Sequence, residues 1–146
     1  MSKQIFIDLE TNNSLDPRTG HITQLAGIIR INGKVKEKFN FKNNIYHSFK
    51  TILDKYVDKF DKSDKFYFIG YNAKFDSDFI RELFLKNKDN FYGSYFFTPI
   101  IDVMGICAYK FMLKDIRPEN FKLGTIARYF KIPVKESDLH DALYDI

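Results

Sequence analysis

Apolar and polar positions alternate near the start of the chain, where Ile5, Ile7 and Leu9 are interleaved with Asp8 and Glu10, so QIFIDLE reads as a strand. TNNSLDPRTGHI follows, rich in Asn, Asp, Pro and Gly, and reads as a loop. QLAGIIRI and KVKEKFNF then flank Asn32-Gly33, a two-residue hairpin signal. From about Ser48 the period changes: Phe49, Ile52, Leu53, Tyr56, Val57 and Phe60 recur at helical spacing. FYFIGYN predicts a fourth strand, and Phe75, Phe79, Ile80, Leu83 and Phe84 give the next helix its buried face. SYFFTPIIDV predicts a fifth strand, followed by a helical stretch through about Met112. FKLGTIARYF is another amphipathic helix, and SDLHDALYDI begins a last one. The order β-β-β-α-β-α-β-α-α-α describes an α/β domain, a mixed sheet covered by helices. In such sheets ligands gather at the carboxyl ends of strands.

Composition adds constraints. With 146 residues, 45% of them apolar and sixteen of them Phe, the chain has enough to bury one core without disulfides. Cys107 has no second cysteine to pair with, and its setting in VMGICAYKF makes it a buried structural thiol. No apolar run approaches the ~18 residues of a membrane span, and MSKQIF lacks the apolar stretch of a signal peptide. The expected location is the cytoplasm, with no membrane partner. Net charge is +4. With Asp8, Glu10, Asp76 and Asp145 set aside, 23 basic residues face 15 acidic ones, a balance of +8. A basic surface around an acidic pocket suits a polyphosphate chain, although the same lysines would also serve as an ordinary solvated surface.

Three elements carry candidate chemistry. Asp8 and Glu10 point to the same side of an otherwise apolar strand. Two ionised carboxylates there repel and lose hydration unless cations neutralise them. Asp76, in GYNAKFDSDFI, comes off the end of the fourth predicted strand near the first turn of a helix, while Asp78 points elsewhere. His140 and Asp145, in HDALYDI, flank the start of the last predicted helix. Singly, each has an ordinary reading: acids at an exposed strand end, an acid at a helix N-terminus, a surface His beside a helical Asp. Together they are four carboxylates and an imidazole. Oxygen ligands select hard cations such as Mg²⁺ or Mn²⁺. Four carboxylates suit two ions, whereas His and Cys at zinc spacing are absent.

The three elements resemble the motifs of the DEDDh exonucleases, a family that includes proofreading subunits of bacterial replicases, RNase T and oligoribonuclease. IFIDLET is similar to the first motif, IGYNAKFDSDFI to the second and HDALYD to the third, and the resemblance covers residues 4 to 145. It implies a ribonuclease H-like fold, a mixed five-stranded sheet flanked by helices, and a single exonuclease domain over 1–146. It implies hydrolysis from the 3′ end of single-stranded DNA or RNA, DNA favoured, to nucleoside 5′-monophosphates. Asp8, Glu10, Asp76 and Asp145 would hold two Mg²⁺ or Mn²⁺ ions, and His140 would accept a proton from the attacking water. Thr11, Asn72 and Phe75 are the candidate substrate contacts. Thr11 would approach the terminal sugar through its backbone. Phe75 or Tyr71 would flank the terminal base, although the register of Phe75 with Phe79 favours a core role, and Asn72 favours ordering the turn. His21 and His47 match no motif and read as surface residues.

Two alternatives remain open on the sequence: an exoribonuclease of the same family, and a non-catalytic nucleic-acid-binding module on the same fold. One departure carries its own expectation. In the family the last helix continues well past the motif-three Asp, and here only Ile146 follows Asp145. A short helix from about Asp138 should leave Asp145 and His140 displaced from the other acids, the helix being either shortened from a natural form that continues or completed by a partner chain or a homodimer.

Overall fold

The computed structural model describes residues 2–146, apart from the side chain at position 136. Five strands form one sheet in the order β3-β2-β1-β4-β5. β1 (Lys3–Thr11), β2 (Ile22–Ile31) and β3 (Lys34–Phe41) pair antiparallel; β4 (Tyr67–Gly70) and β5 (Ile101–Asp102) add in parallel beyond β1. The mixed sheet expected from the sequence is the one observed. The β2–β3 turn holds Asn32 and Gly33 at φ 51° and 78°. Two left-handed residues in a two-residue loop are what the strands' own twist requires.

Alternation along β1 sorts its side chains. Ile5, Ile7 and Leu9 are buried on one face, where they meet α1 (Ile45–Tyr56) and α2 (Ala73–Lys86) in the main core. Phe49, Leu53, Phe68, Ile80 and Phe84 there are fully buried. Burying one such side chain contributes about 1.5–3 kcal/mol, so this layer fixes β1 and β4, the strands that present the site. α3 (Tyr92–Tyr95) closes the same core. α4 (Val103–Leu113) and α5 (Leu123–Tyr129) form a second, smaller cluster around Cys107, Phe111 and Ile126. Cys107 is buried, and burial pushes its thiol pKa up, as a structural thiol requires.

Two predicted elements differ. The fifth strand expected over SYFFTPIIDV is only Ile101–Asp102, with α3 and a lone Phe66–Phe96 bridge before it. Pro99 has no N–H to give a ladder, so the apolar run cannot pair continuously. The last helix is absent: a single 3-10 turn at Glu136–Asp138 precedes hydrogen-bonded turns. No described helix is long and apolar enough to cross a membrane.

Candidate metal centre

β1 supplies the first two acids. Asp8 and Glu10 lie on the face opposite Ile7 and Leu9, and the ladder to β2 shifts register between Glu10 and Thr11. An irregularity of this kind re-aims a strand's last side chains, and here it falls beside Glu10. β4 then ends at Gly70, where an added Cβ would come within 3.2 Å of both Ala73 Cβ and Ile7 O. That close approach lets the chain turn directly into α2. Asn72 makes the turn with φ 57°, and its N–H donates to Asp102 Oδ1 at 2.9 Å. The same Asp102 oxygen caps α4 by accepting from Met104 N at 3.0 Å. One carboxylate thereby ties the starts of two helices together at the carboxyl ends of β4 and β5. Asp76, in the first turn of α2, is only 3% exposed.

The electrostatics follow from this packing. Burial, then the charges of Asp145 and Glu10, pushes the Asp8 pKa up to about 7. Burial, then the charge of Asp8, pushes Asp76 up to about 8. The Leu9 backbone amide opposes both shifts, and the Asp76 amide opposes its own. Glu10 and Asp145 are also raised, chiefly by burial, while nearby His140 favours their charged forms.

Asp145 and His140 come from the C-terminal turns. Oxygens of Asp8, Glu10 and Asp145 all lie within 4.8 Å of one another. The expected displacement of Asp145 is therefore not found, and the three carboxylates meet within one chain, without a partner to complete a helix. In place of a helix, local bonds shape the segment: Asp145 N–H donates to Asp141 O at 3.0 Å, and His140 N–H to Asp145 Oδ2 at 3.3 Å. His140, at φ 72°, is exposed at the rim. Asp76 is not one of the three converging acids, although it feels the charge of Asp8.

This donor set fits a divalent cation. Asp145 Oδ1 is buried with no hydrogen-bond partner, although buried polar atoms are almost always satisfied. Its carboxylate meets those of Asp8 and Glu10, whose mutual repulsion and desolvation a cation would relieve.

A groove of about 590 Å³ runs from His140 and Asp145 past Tyr71, Asn72 and Met104 to Lys122. Asn72 thus both makes the turn and faces the groove. The Tyr71 hydroxyl is engaged, donating to Phe121 O at 2.5 Å. Phe75 does not line the groove: it packs on Phe79, ring centroids 4.8 Å apart, against the main core, as its helical register favoured. Thr11 lies half-buried at the end of β1, its hydroxyl donating to Ser14 O at 3.3 Å. His21 and His47 are exposed.

A family model for the RNase_H superfamily matches residues 5–143. The chain belongs to that superfamily. Its fold is that of exonuclease I, with a TM-score of 0.76 over 100% of this chain at 18% identity. E. coli exonuclease I in complex with a dT13 oligonucleotide aligns over 99% of the chain at TM-score 0.73 and 19% identity. A zinc-ion-bound complex of E. coli exonuclease I with single-stranded DNA aligns over 99% at 0.72 and 18%. The alignments cover 39%, 39% and 38% of those chains respectively, so this chain spans well under half of each. No curated protein matches the sequence. The resemblance drawn from the three motifs agrees with both the superfamily and the fold.

Proposed function

We propose that this chain is a metal-dependent 3′–5′ exonuclease acting on single-stranded nucleic acid, DNA in preference to RNA, and releasing nucleoside 5′-monophosphates. The observation that carries the proposal is the meeting of oxygens of Asp8, Glu10 and Asp145 within 4.8 Å, on a carboxyl group of Asp145 that keeps one buried oxygen unpartnered. The fold neighbours, which bind dT13 and single-stranded DNA, support DNA as the substrate.

In this reading Asp8, Glu10, Asp76 and Asp145 would hold two divalent cations, directly or through water. Mg²⁺ or Mn²⁺ bound there would supply positive charge that stabilises the phosphate as it reacts. His140, at the rim beside Glu10 and Asp145, takes a proton from the attacking water. The water oxygen bonds to phosphorus as the bond to the penultimate 3′ oxygen breaks, and that oxygen leaves with a proton from solvent. Asn72 and Tyr71 shape the groove that receives the terminal nucleotide, and the Thr11 backbone approaches its sugar.

The test uses single-stranded DNA and RNA, each labelled at the 5′ or the 3′ end, incubated with Mg²⁺, Mn²⁺ or chelator. The proposal expects metal-dependent release of labelled mononucleotide at once from 3′-labelled DNA, and a shortening ladder from 5′-labelled DNA. Mononucleotide release first from the 5′ label, or release in chelator, defeats it.

A further inference from the structure

Gln24 is 6% exposed, a buried polar side chain in a strand whose other buried positions are apolar. It lies directly across the ladder from Glu10, and directly opposed residues share a face of the sheet. Its carboxamide is engaged on both ends. Nε2 donates to Asn40 Oδ1 at 3.0 Å and, more distantly, to Asp141 Oδ1 at 3.5 Å. Oε1 accepts from Ala142 N–H at 3.2 Å, and Ala142 is fully buried. Among the described residues, the hydrogen bonds that join 139–146 to the sheet run to this one side chain. The other bonds of that segment are local: Asp141 accepts from Leu143 N, Tyr144 N and Asp145 N, and the Tyr144 hydroxyl accepts from Lys135 N.

We infer that Gln24 is a positioning residue for the metal centre: by gripping Ala142 it holds Asp145 against Asp8 and Glu10. The inference rests on the exonuclease reading and extends it. A three-residue spacing along the chain separates the gripped amide from the Asp145 carboxylate, and a compact turn spans it. Because Gln24 and Glu10 are ladder partners, the strand pair that carries Glu10 also sets where Asp145 stands. The sheet thus does for Asp145 what a helix would otherwise do. Oε1, the Ala142 acceptor, is the atom that matters most; Nε2 orients the carboxamide through Asn40.

Two substitutions test the grip. Gln24→Leu keeps volume and loses both ends; Gln24→Asn keeps the polar group but falls one methylene short. Circular dichroism reports folding, calorimetry with Mn²⁺ alone reports binding, and mononucleotide release from single-stranded DNA is followed against Mn²⁺ and against substrate. Gln24→Leu should bind Mn²⁺ about 10-fold more weakly, the lower end of what ligand-supporting residues contribute. Its kcat should fall at fixed Mn²⁺ and recover as Mn²⁺ is raised, with KM for DNA unchanged. A folded Gln24→Leu with wild-type Mn²⁺ affinity overturns the inference. Should Gln24→Leu fail to fold, Gln24→Asn decides by the same comparison. These failures leave a wild type that binds Mn²⁺ and cleaves; a wild type that does neither overturns the exonuclease reading itself.

Discussion

Asp8, Glu10 and Asp76 stand on a strand and a helix, whereas His140 and Asp145 stand on a run of turns. The first group is held by the β1 ladders and the main core, including side chains with no exposure at all. The second is held by one buried glutamine, one buried alanine and bonds within its own turns. Both deliver carboxylates to the same few ångströms. Regular structure is therefore not what brings a carboxylate to this site; a backbone fixed at one or two points is enough. The difference should appear in how each half responds to perturbation.

The largest effect should come from the rigid half. Asp8 touches every other acid of the site, through charge or proximity. Asp8→Asn should take nuclease activity to background and abolish the rise in melting temperature that Mn²⁺ gives by binding the native state. The metal-free variant should melt no lower than wild type at pH 8, because a desolvated carboxylate among like charges has been removed. A variant that keeps its Mn²⁺-induced rise would place the ion elsewhere.

His140→Ala should come next, cutting kcat by ~10²–10⁴-fold, the usual contribution of a general base. The side chain is exposed and offers the fold little, so melting and Mn²⁺ affinity should hold. If Mn²⁺ affinity falls along with kcat, His140 is also arranging the turns around Asp145, and the two halves are less separable than they look.

A third effect is set by pH. In the metal-free protein Asp8 keeps its proton up to about pH 7 and Asp76 up to about pH 8, against an ordinary value near 3.8. Between those limits the native state holds protons that the unfolded chain has released. Stability in chelator should accordingly fall as pH rises from about 4 to about 8, and the fall should vanish in Mn²⁺. Mn²⁺ affinity itself should rise over the same range, since binding must displace those protons. A melting temperature in chelator that is flat across this range would mean the two acids are better solvated than their burial indicates.

Much of this was legible in the chain, and what was not has physical reasons. Alternation in QIFIDLE put Asp8 and Glu10 on one face, and Asn32-Gly33 announced its hairpin. The three motifs marked the acids even where the local structure was misread. SYFFTPIIDV looked like a strand because it is apolar, but Pro99 interrupts pairing and leaves two paired residues. The C-terminal stretch read as helix from Leu139, Ala142, Leu143 and Ile146, yet Asp141 folds its carboxylate onto the amides of Leu143 and Tyr144, a local bond that competes with helix. Gln24 carried no signal in sequence. A polar residue in a strand ordinarily faces water, and only the tertiary contact to Ala142 shows otherwise.

The smallest effect tests whether α5 also steadies the C-terminal half. Gly124 lies in the first turn of α5, and a Cβ there would meet Leu139 Cδ1 at 3.2 Å, beside His140. Gly124→Ala gains helix propensity, at most about 1 kcal/mol, worth no more than about 4 °C in a protein of this size. The contact is with the end of a flexible side chain on a segment built of turns, so Leu139 should yield by a few tenths of an ångström, not resist. Melting should then stay level or rise slightly. If the yielding of Leu139 is passed along the turns, Mn²⁺ affinity should weaken by less than the ~10-fold of a lost supporting residue, with His140-dependent kcat following it. If Mn²⁺ affinity is unchanged while melting rises, Leu139 moves without Asp145. The grip of Gln24 on Ala142 would then be enough to isolate the ligand from its own flanking turn.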